Sequence, residues 1–234
     1  MKIKGTPFFT SGPSLFYKKV FGNFKSKRNI IDHFHKLYYD SEEKTWKNTF
    51  WLGIQAQKCA LDLWIYQEII FEIKPDIIIE CGTAGGGSAL FLASICDLLN
   101  NGKIITIDIK SNEGRPKHER ITYLLGSSTT HEIVEKIQGL ISSKDRIMVI
   151  LDSDHNKEYV LKELKIYSRF VTKDSYIIVE DTNINGHPVN SDFGPGPTEA
   201  VREFLEENKN FGIDRSREKF YLTFNPSGYL RRIR

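Results

Sequence analysis

The chain has 234 residues, 40% of them hydrophobic and 12% aromatic, enough to bury one core with at most a small appendage. Its 33 basic and 30 acidic residues leave a formal charge of +3 with no long run of one sign, which argues against nucleic acid as a partner. No apolar run approaches the roughly 20 residues of a spanning helix, and residues 1–13 lack the form of a signal peptide, so a soluble protein without membrane insertion is expected.

In chain order, residues 16–28 are aromatic and basic and read as a packed or partly mobile arm. Residues 1–60 as a whole read as a helical arm or lid, ahead of a main domain at 61–234. Leu61, Trp64, Ile65, Glu68 and Ile69 are spaced to give one largely apolar helix face, expected to cover the mouth of a site. From Asp76 onward, short β-branched runs alternate with helical patterns, the form of a parallel sheet with helices on both faces. The expected strands are Asp76–Cys81, Lys103–Ile109, Ile121–Leu125, Ile147–Asp152 and Tyr176–Glu180. The expected helices are Ser88–Leu99, Thr130–Leu140, Lys157–Phe170 and Thr198–Asn208. Unbroken apolar runs such as Ile77-Ile78-Ile79 and Ile147-Met148-Val149-Ile150-Leu151 imply burial on both faces and a central place in the sheet. Two further strand-like runs, Lys219–Phe224 and Gly228–Arg231, are joined by the turn Asn225-Pro226-Ser227-Gly228 and read as an antiparallel hairpin. The predicted fold is α/β and Rossmann-like: a mostly parallel seven-stranded sheet, that hairpin at its C-terminal edge, helices on both faces. Cys59, Cys81 and Cys96 are odd in number, lack C-x-x-C spacing and lie among apolar residues, which fits reduced structural thiols in a cytoplasmic protein.

The first strand runs into Glu80-Cys81-Gly82-Thr83-Ala84-Gly85-Gly86-Gly87-Ser88, so glycines sit where a strand turns at its C-terminal end, the place where open α/β sheets bind ligands. Glycines permit the turn and let a ligand approach the backbone, and a structural turn would need only one or two of them. The pattern G-x-G-x-x-G of a dinucleotide loop fails at Ala84. Glu80 fits S-adenosylmethionine better, since an acid there can meet the ammonium of its methionine part. Asp108, closing the next strand, can accept both ribose hydroxyls or simply cap its loop, and dehydrogenases place an acid there too. Gly126-Ser127-Ser128 stands where the adenine would lie, although a generic turn explains it nearly as well. Glu80, Gly82, Thr83, Gly85, Gly86, Ser88, Asp108, Ser127 and Asp152 are the candidate cofactor residues.

The fourth and fifth strands end in Leu151-Asp152-Ser153-Asp154-His155 and Val179-Glu180-Asp181-Thr182-Asn183. Parallel neighbours finish on the same side, so Asp152, Glu180 and Asp181 should converge, and their repulsion calls for a cation or protonation. Oxygen ligands select Mg²⁺, Mn²⁺ or Ca²⁺. The bland alternative makes these acids helix caps or solvent-facing loop residues, and Asp154 is expected to cap the helix beginning near Asn156. His155 lies three positions after Asp152, close enough to face the same cavity and take a proton from a substrate hydroxyl. His187 and Phe193-Gly194-Pro195-Gly196-Pro197 read as a substrate loop or a rigid cover.

From about Phe50 to the C-terminus these motifs, together with Asp62-Leu63-Trp64-Ile65-Tyr66-Gln67-Glu68, Gly194-Pro195-Gly196-Pro197 and Arg217-Glu218-Lys219-Phe220, resemble the cephalosporin hydroxylase family. Despite that historical name, its members look like class I S-adenosylmethionine-dependent methyltransferases. The resemblance implies Asp152, Glu180 and Asp181 as magnesium ligands, a triad similar to that of catechol-type and macrolide-sugar O-methyltransferases. The sugar enzymes also place a histidine three residues after the first ligand, which implies His155 as the base. It further implies Mg²⁺-dependent O-methylation of a small hydroxylated acceptor, a sugar or glycosylated natural product, with Asp152 and His155 catalytic. Residues 1–45 carry no resemblance; acceptor choice or contacts in a homo-oligomer could be set there. Two alternatives stay open: an NAD-dependent oxidoreductase, favoured only by the glycine turn and Asp108, and a non-catalytic cofactor-binding scaffold.

Overall fold

The structure is a computed structural model that describes residues 26–234, so most of the arm read at 16–28 and the first part of the region read as a lid lie outside the described residues. Helix α1 (Lys27–Tyr39) starts at Ser26, whose hydroxyl accepts the Asn29 N–H, one of the donors a helix start leaves unpaired. A 3₁₀ turn (Thr45–Asn48) leads into a short antiparallel pair, β1 (Phe50–Trp51) and β2 (Ile54–Gln55), and then α2 (Ala60–Ile73).

The α/β alternation follows: β3 (Ile77–Cys81), α3 (Gly87–Leu99), β4 (Lys103–Asp108), β5 (Ile121–Leu125), α4 (His131–Leu140), β6 (Ile147–Leu151), α5 (Lys157–Tyr167), β7 (Tyr176–Val179), α6 (Pro197–Glu207), β8 (Phe211–Ile213) and β9 (Tyr229–Arg232). The seven-stranded sheet has the order β5-β4-β3-β6-β7-β9-β8, parallel except that β9 runs against both β7 and β8. Every residue of β3, β6 and β7 is buried, as their unbroken apolar runs require. Alternation sends Ile77, Ile79 and Cys81 into the core under α4 to α6, and Ile78 into the core under α2 and α3. Cys81 is level with Leu151, and Leu151 with Val179, so β3, β6 and β7 end together; Asp152 and Glu180 emerge side by side, while Glu80, level with Ile150, stays buried within β3.

Two expectations need correction. The C-terminal hairpin exists, but β9 pairs with Phe211–Ile213, not with Lys219–Phe224. Residues 217–224 are instead held off the sheet by side chains of α2: Lys219 reaches Glu68, Arg217 grips Glu72 with Nη1 and Nη2, and Thr223 and the Phe224 N–H bond to Asp62. The second correction is the face of α2. Its buried side is Asp62, Ile65, Tyr66, Ile69, Ile70 and Ile73, whereas Trp64 is 58% exposed and donates its indole N–H to Glu68 one turn on. The helix packs on the sheet; the segment just before it, residues 49–59, reaches the strand ends.

Candidate active site

The glycine turn is shaped by the chain itself before any ligand is considered. Gly82 has φ +99°, and a Cβ there would stand 1.8 Å from the carbonyl oxygen of Asp152, so the two strand ends can abut only at glycine. A Cβ on Gly87 would lie 2.3 Å from the Gln55 carbonyl oxygen, so the β1–β2 pair also seats directly on the turn. Gly86 is in the left-handed region at the start of α3, Gly85 lies 3.4 Å from the Gln55 oxygen by the same measure, and Thr83 turns its hydroxyl into the sheet, 2.7 Å from that of Thr106.

Beside this turn, at the ends of β3, β4 and β6, lies a cavity of about 470 Å³ whose walls include Gly82, Asp108, Ser127, Ser128, Asp152 and Tyr159. That volume suits a cofactor-sized ligand. Asp108 is pre-set by the Ala84 and Lys110 N–H groups, each donating at 2.8 Å, with Arg115 3.1 Å away. Ser127 and Ser128 share hydrogen bonds with the Tyr159 hydroxyl at 2.8 and 3.0 Å. Behind them Glu163 accepts from Ser128 and Ser153, and burial pushes its pKa up to about 7. Glu80 is fully buried: Oε2 accepts from Thr106 at 2.6 Å, while Oε1 has no hydrogen-bond partner among the described residues. Glu80 is not in the cavity wall, but its orphaned carboxylate oxygen near the end of β3, with Ser88 buried close by, suits an ammonium group such as that of S-adenosylmethionine.

Asp152 belongs to this cavity and to a second cluster. Ligand atoms of Asp152, His155 and Asp181 lie within 4.8 Å of one another, and His155 Nε2 is 3.1 Å from Asp181 Oδ2. Glu180 is turned away from them toward Lys58, whose Nζ donates to Glu180 Oε1 at 2.6 Å and to Asp152 Oδ2. Burial alone would lower the Lys58 pKa, but the two carboxylates hold it well above the lysine range. Burial and neighbouring Asp152 push Glu180 up to about 8. His155 is also raised, to about 9: burial opposes its charge, and Asp181, Asp152 and Glu180 outweigh burial. Asp152, Glu180 and Asp181 thus crowd around Lys58 and His155, and burial together with Asp152 holds Glu180 above the usual carboxylate range despite Lys58. Hard oxygen donors crowded in this way suit a divalent ion, with Asp152 and Asp181 open to it and Glu180 shared with Lys58.

Asp181 has φ +52°, a left-handed conformation that Asp tolerates better than most residues, and its N–H donates to Asn225 Oδ1 at 3.2 Å. The excursion between β8 and β9 therefore holds a candidate ligand in place. The same excursion carries Phe224, which meets His35, Tyr38 and Tyr39 of α1, and Trp46, to form an aromatic wall near Asp181. His35 is buried, accepts from Asn183 Nδ2 and is pushed down to about 4 by burial, so it is neutral. Asp154 accepts the N–H of Asn156 in the turn ahead of α5, but the N-cap of that helix is Asn156, so the cap foreseen for Asp154 is not formed. His187 is 2.8 Å from Glu199, which also accepts the Gly196 N–H at the start of α6, so this loop is tied down by its own chain.

Sequence reasoning missed Lys58, Tyr159, Glu163 and the aromatic wall. Tyr159 and Glu163 stand four apart on α5 and so share a face, a signal available in principle. For Lys58 the one hint was the charge count: three converging acids needed a cation, and the chain supplies part of it.

A family profile described as Rhamnosyl O-methyltransferase/CmcI matches residues 43–233. A rhamnosyl O-methyltransferase of Mycobacterium bovis is 39% identical over 208 residues, covering 86% of this chain and 84% of that one. The rhamnosyl O-methyltransferase of Mycobacterium leprae is 38% identical over 208 residues, 86% of this chain and 90% of that one. A solved structure of CmcI with Mg and SAM matches with a TM-score of 0.61 at 18% identity, over 80% of this chain and 78% of that one, which is a likeness of fold.

Proposed function

The chain belongs to the Rhamnosyl O-methyltransferase/CmcI family, and from that premise we propose that it methylates a sugar hydroxyl, that of a rhamnosyl group or a similar deoxyhexose on a larger natural product, using S-adenosylmethionine and Mg²⁺. The observation that carries this reading is Asp152, whose carboxylate lines the cofactor-sized cavity and also belongs to the acid–histidine cluster, so methyl donor and acceptor oxygen meet at one side chain.

When bound, the cofactor supplies an electrophilic methyl group, and the divalent ion favours the ionised form of the acceptor hydroxyl. Glu80 Oε1 receives the cofactor's ammonium, and Asp108, already oriented by two backbone N–H groups, accepts its ribose hydroxyls. Gly82, Thr83, Gly85, Gly86 and Ser88 form the turn that would hold the methionine part, and Ser127 would line the adenine pocket. Asp152, Glu180 and Asp181 are the metal carboxylates. His155 Nε2 is the atom that takes the acceptor's proton; its present pairing with Asp181 keeps it protonated, and positive charge added beside Asp152 and Asp181 would return it to the neutral form that a base requires. The aromatic wall around Phe224 gives an apolar surface for the face of a deoxysugar, and residues 26–60, the described part of the region read as a lid, close over the acceptor. Holding the two reactants in line supplies most of the rate gain.

The test is transfer of a labelled methyl group from S-adenosylmethionine to a panel of rhamnosylated acceptors, with Mg²⁺ or EDTA. Label is expected on the sugar in Mg²⁺ alone. Absence of transfer to every sugar acceptor by protein that binds S-adenosylhomocysteine would defeat the reading, and binding of NAD in its place would point to oxidoreductase chemistry. Asp152→Ala should abolish transfer.

A further inference from the structure

Among the described residues Lys58 is the one lysine or arginine that is buried, and it is buried in the carboxylate cluster itself. Its backbone is fixed: the Lys58 N–H donates to Thr49 Oγ1 at 3.0 Å and the Ala56 N–H to the Thr49 carbonyl at 2.8 Å, so the segment that seats on the glycine turn also aims this side chain. The ammonium reaches Asp152 Oδ2 and Glu180 Oε1, two of the three carboxylates assigned to the metal, and is 3% exposed. A lysine whose only task was packing would extend its charge to water, because burying an ammonium costs several kcal/mol unless paired. Here the chain accepts that burial at the place where a second cation is to bind.

We propose that Lys58 is a built-in competitor for the metal site, a positioning residue that holds Asp152 and Glu180 together in the metal-free protein and weakens divalent-ion binding by occupying their oxygens. The proposal rests on the metal reading above. Two cations sharing Asp152 repel each other, and each carboxylate oxygen given to the ammonium is withdrawn from the ion. The metal-free site therefore stays assembled, with its acids neutralised in part from within, and the ion remains exchangeable.

Binding of Mn²⁺ alone to the full chain, followed by electron paramagnetic resonance of the free ion with S-adenosylhomocysteine present, tests this. Lys58→Met should bind Mn²⁺ roughly tenfold tighter or more than the wild type, and in EDTA it should melt lower, with the loss recovered by Mn²⁺. Lys58→Arg, which keeps the charge, should remain weak. Unchanged or weaker Mn²⁺ binding by Lys58→Met overturns the proposal. The wild-type measurement separates the two ideas: if the wild type binds no Mn²⁺ but Lys58→Met does, the metal-dependent reading of the natural enzyme fails and the competitor role stands; if neither binds, both fail. Should the variants not fold, the wild type labelled with ¹⁵N at lysine Nζ offers a further readout. A slowly exchanging ammonium resonance that moves on addition of Mg²⁺ supports the proposal, and one that stays fixed while other site signals move overturns it.

Discussion

Asp62→Asn probes the clamp that holds the excursion over the site, and its effect should depend on pH in a calculable way. Asp62 is buried in α2; Oδ1 accepts from the Thr223 and Tyr229 hydroxyls and Oδ2 from the Phe224 N–H. Burial pushes its pKa up from 3.8 to about 6, with the three hydrogen bonds pulling the other way. Between those values the native state binds the proton more tightly than the unfolded chain, so this group's stabilising contribution is complete below pH 3.8 and is lost as pH rises through 6. At about 1.4 kcal/mol per pH unit the whole loss is roughly 3 kcal/mol. Asparagine does not titrate. It can keep the two hydroxyls on its carbonyl oxygen, but it turns an N–H toward the Phe224 N–H, which costs about 1–3 kcal/mol. The wild type should exceed the variant by several kcal/mol at pH 4, and the margin should shrink by about 2.4 kcal/mol by pH 7, most of the full range. Urea unfolding of both proteins at matched pH values measures this, because groups common to both cancel in the difference. A margin that stays constant or widens from pH 4 to pH 7 would refute the assignment of a buried, titrating Asp62.

Gly82→Ala places a methyl group 1.8 Å from the Asp152 carbonyl oxygen at φ +99° and should cost more than about 3 kcal/mol, visible as a collapse in melting temperature or soluble yield. Asp108→Ala removes the carboxylate proposed to accept the ribose hydroxyls and should weaken S-adenosylhomocysteine binding about 10- to 100-fold by calorimetry with the circular dichroism spectrum unchanged. Asp181→Asn should keep cofactor binding and lose the Mg²⁺ stimulation of transfer; a variant still stimulated by the ion would remove Asp181 from the ligand set. In EDTA, the raised pKa of His155, about 9 against an ordinary 6.5, means its charged form stabilises the protein fully below pH 6.5 and that contribution fades as pH rises through 9. His155→Gln should flatten that part of the stability–pH curve, and an identical curve would show that the pair with Asp181 contributes nothing.

The parallel half of the fold was legible because burial on both faces leaves an unambiguous mark: β3 and β6 are runs of five apolar or small residues broken only by Glu80. The carboxylates were legible because Asp152 and Glu180 each follow immediately on a strand's last residue, and neighbouring parallel strands fix where they emerge. Other features were hidden by tertiary contacts. Residues 219–224 alternate like a strand, yet Asp62, Glu68 and Glu72 draw their backbone away, while the true partner of β9 is a three-residue strand with glycine at its centre, too short to announce itself. Trp64 looked like core because it is large and apolar, and its bond to Glu68 lets it stand outside. Lys58 lay in no motif. Its partners are 94 and 122 residues away, so its role exists only once the chain has folded.

The stretch from Asp214 to Gly228 leaves the antiparallel edge after β8 and returns to it as β9, and on the way it delivers Asn225 to Asp181 and Phe224 to the aromatic wall. Both of its ends are anchored on strands that make no contact with the cofactor turn in the sheet order. On the function proposed above, acceptor recognition and cofactor recognition occupy separable modules of one chain. Substitutions or changes of length in this excursion could reshape the aromatic wall over many generations while the parallel strands kept the glycine turn untouched, which gives one scaffold a route to many acceptors.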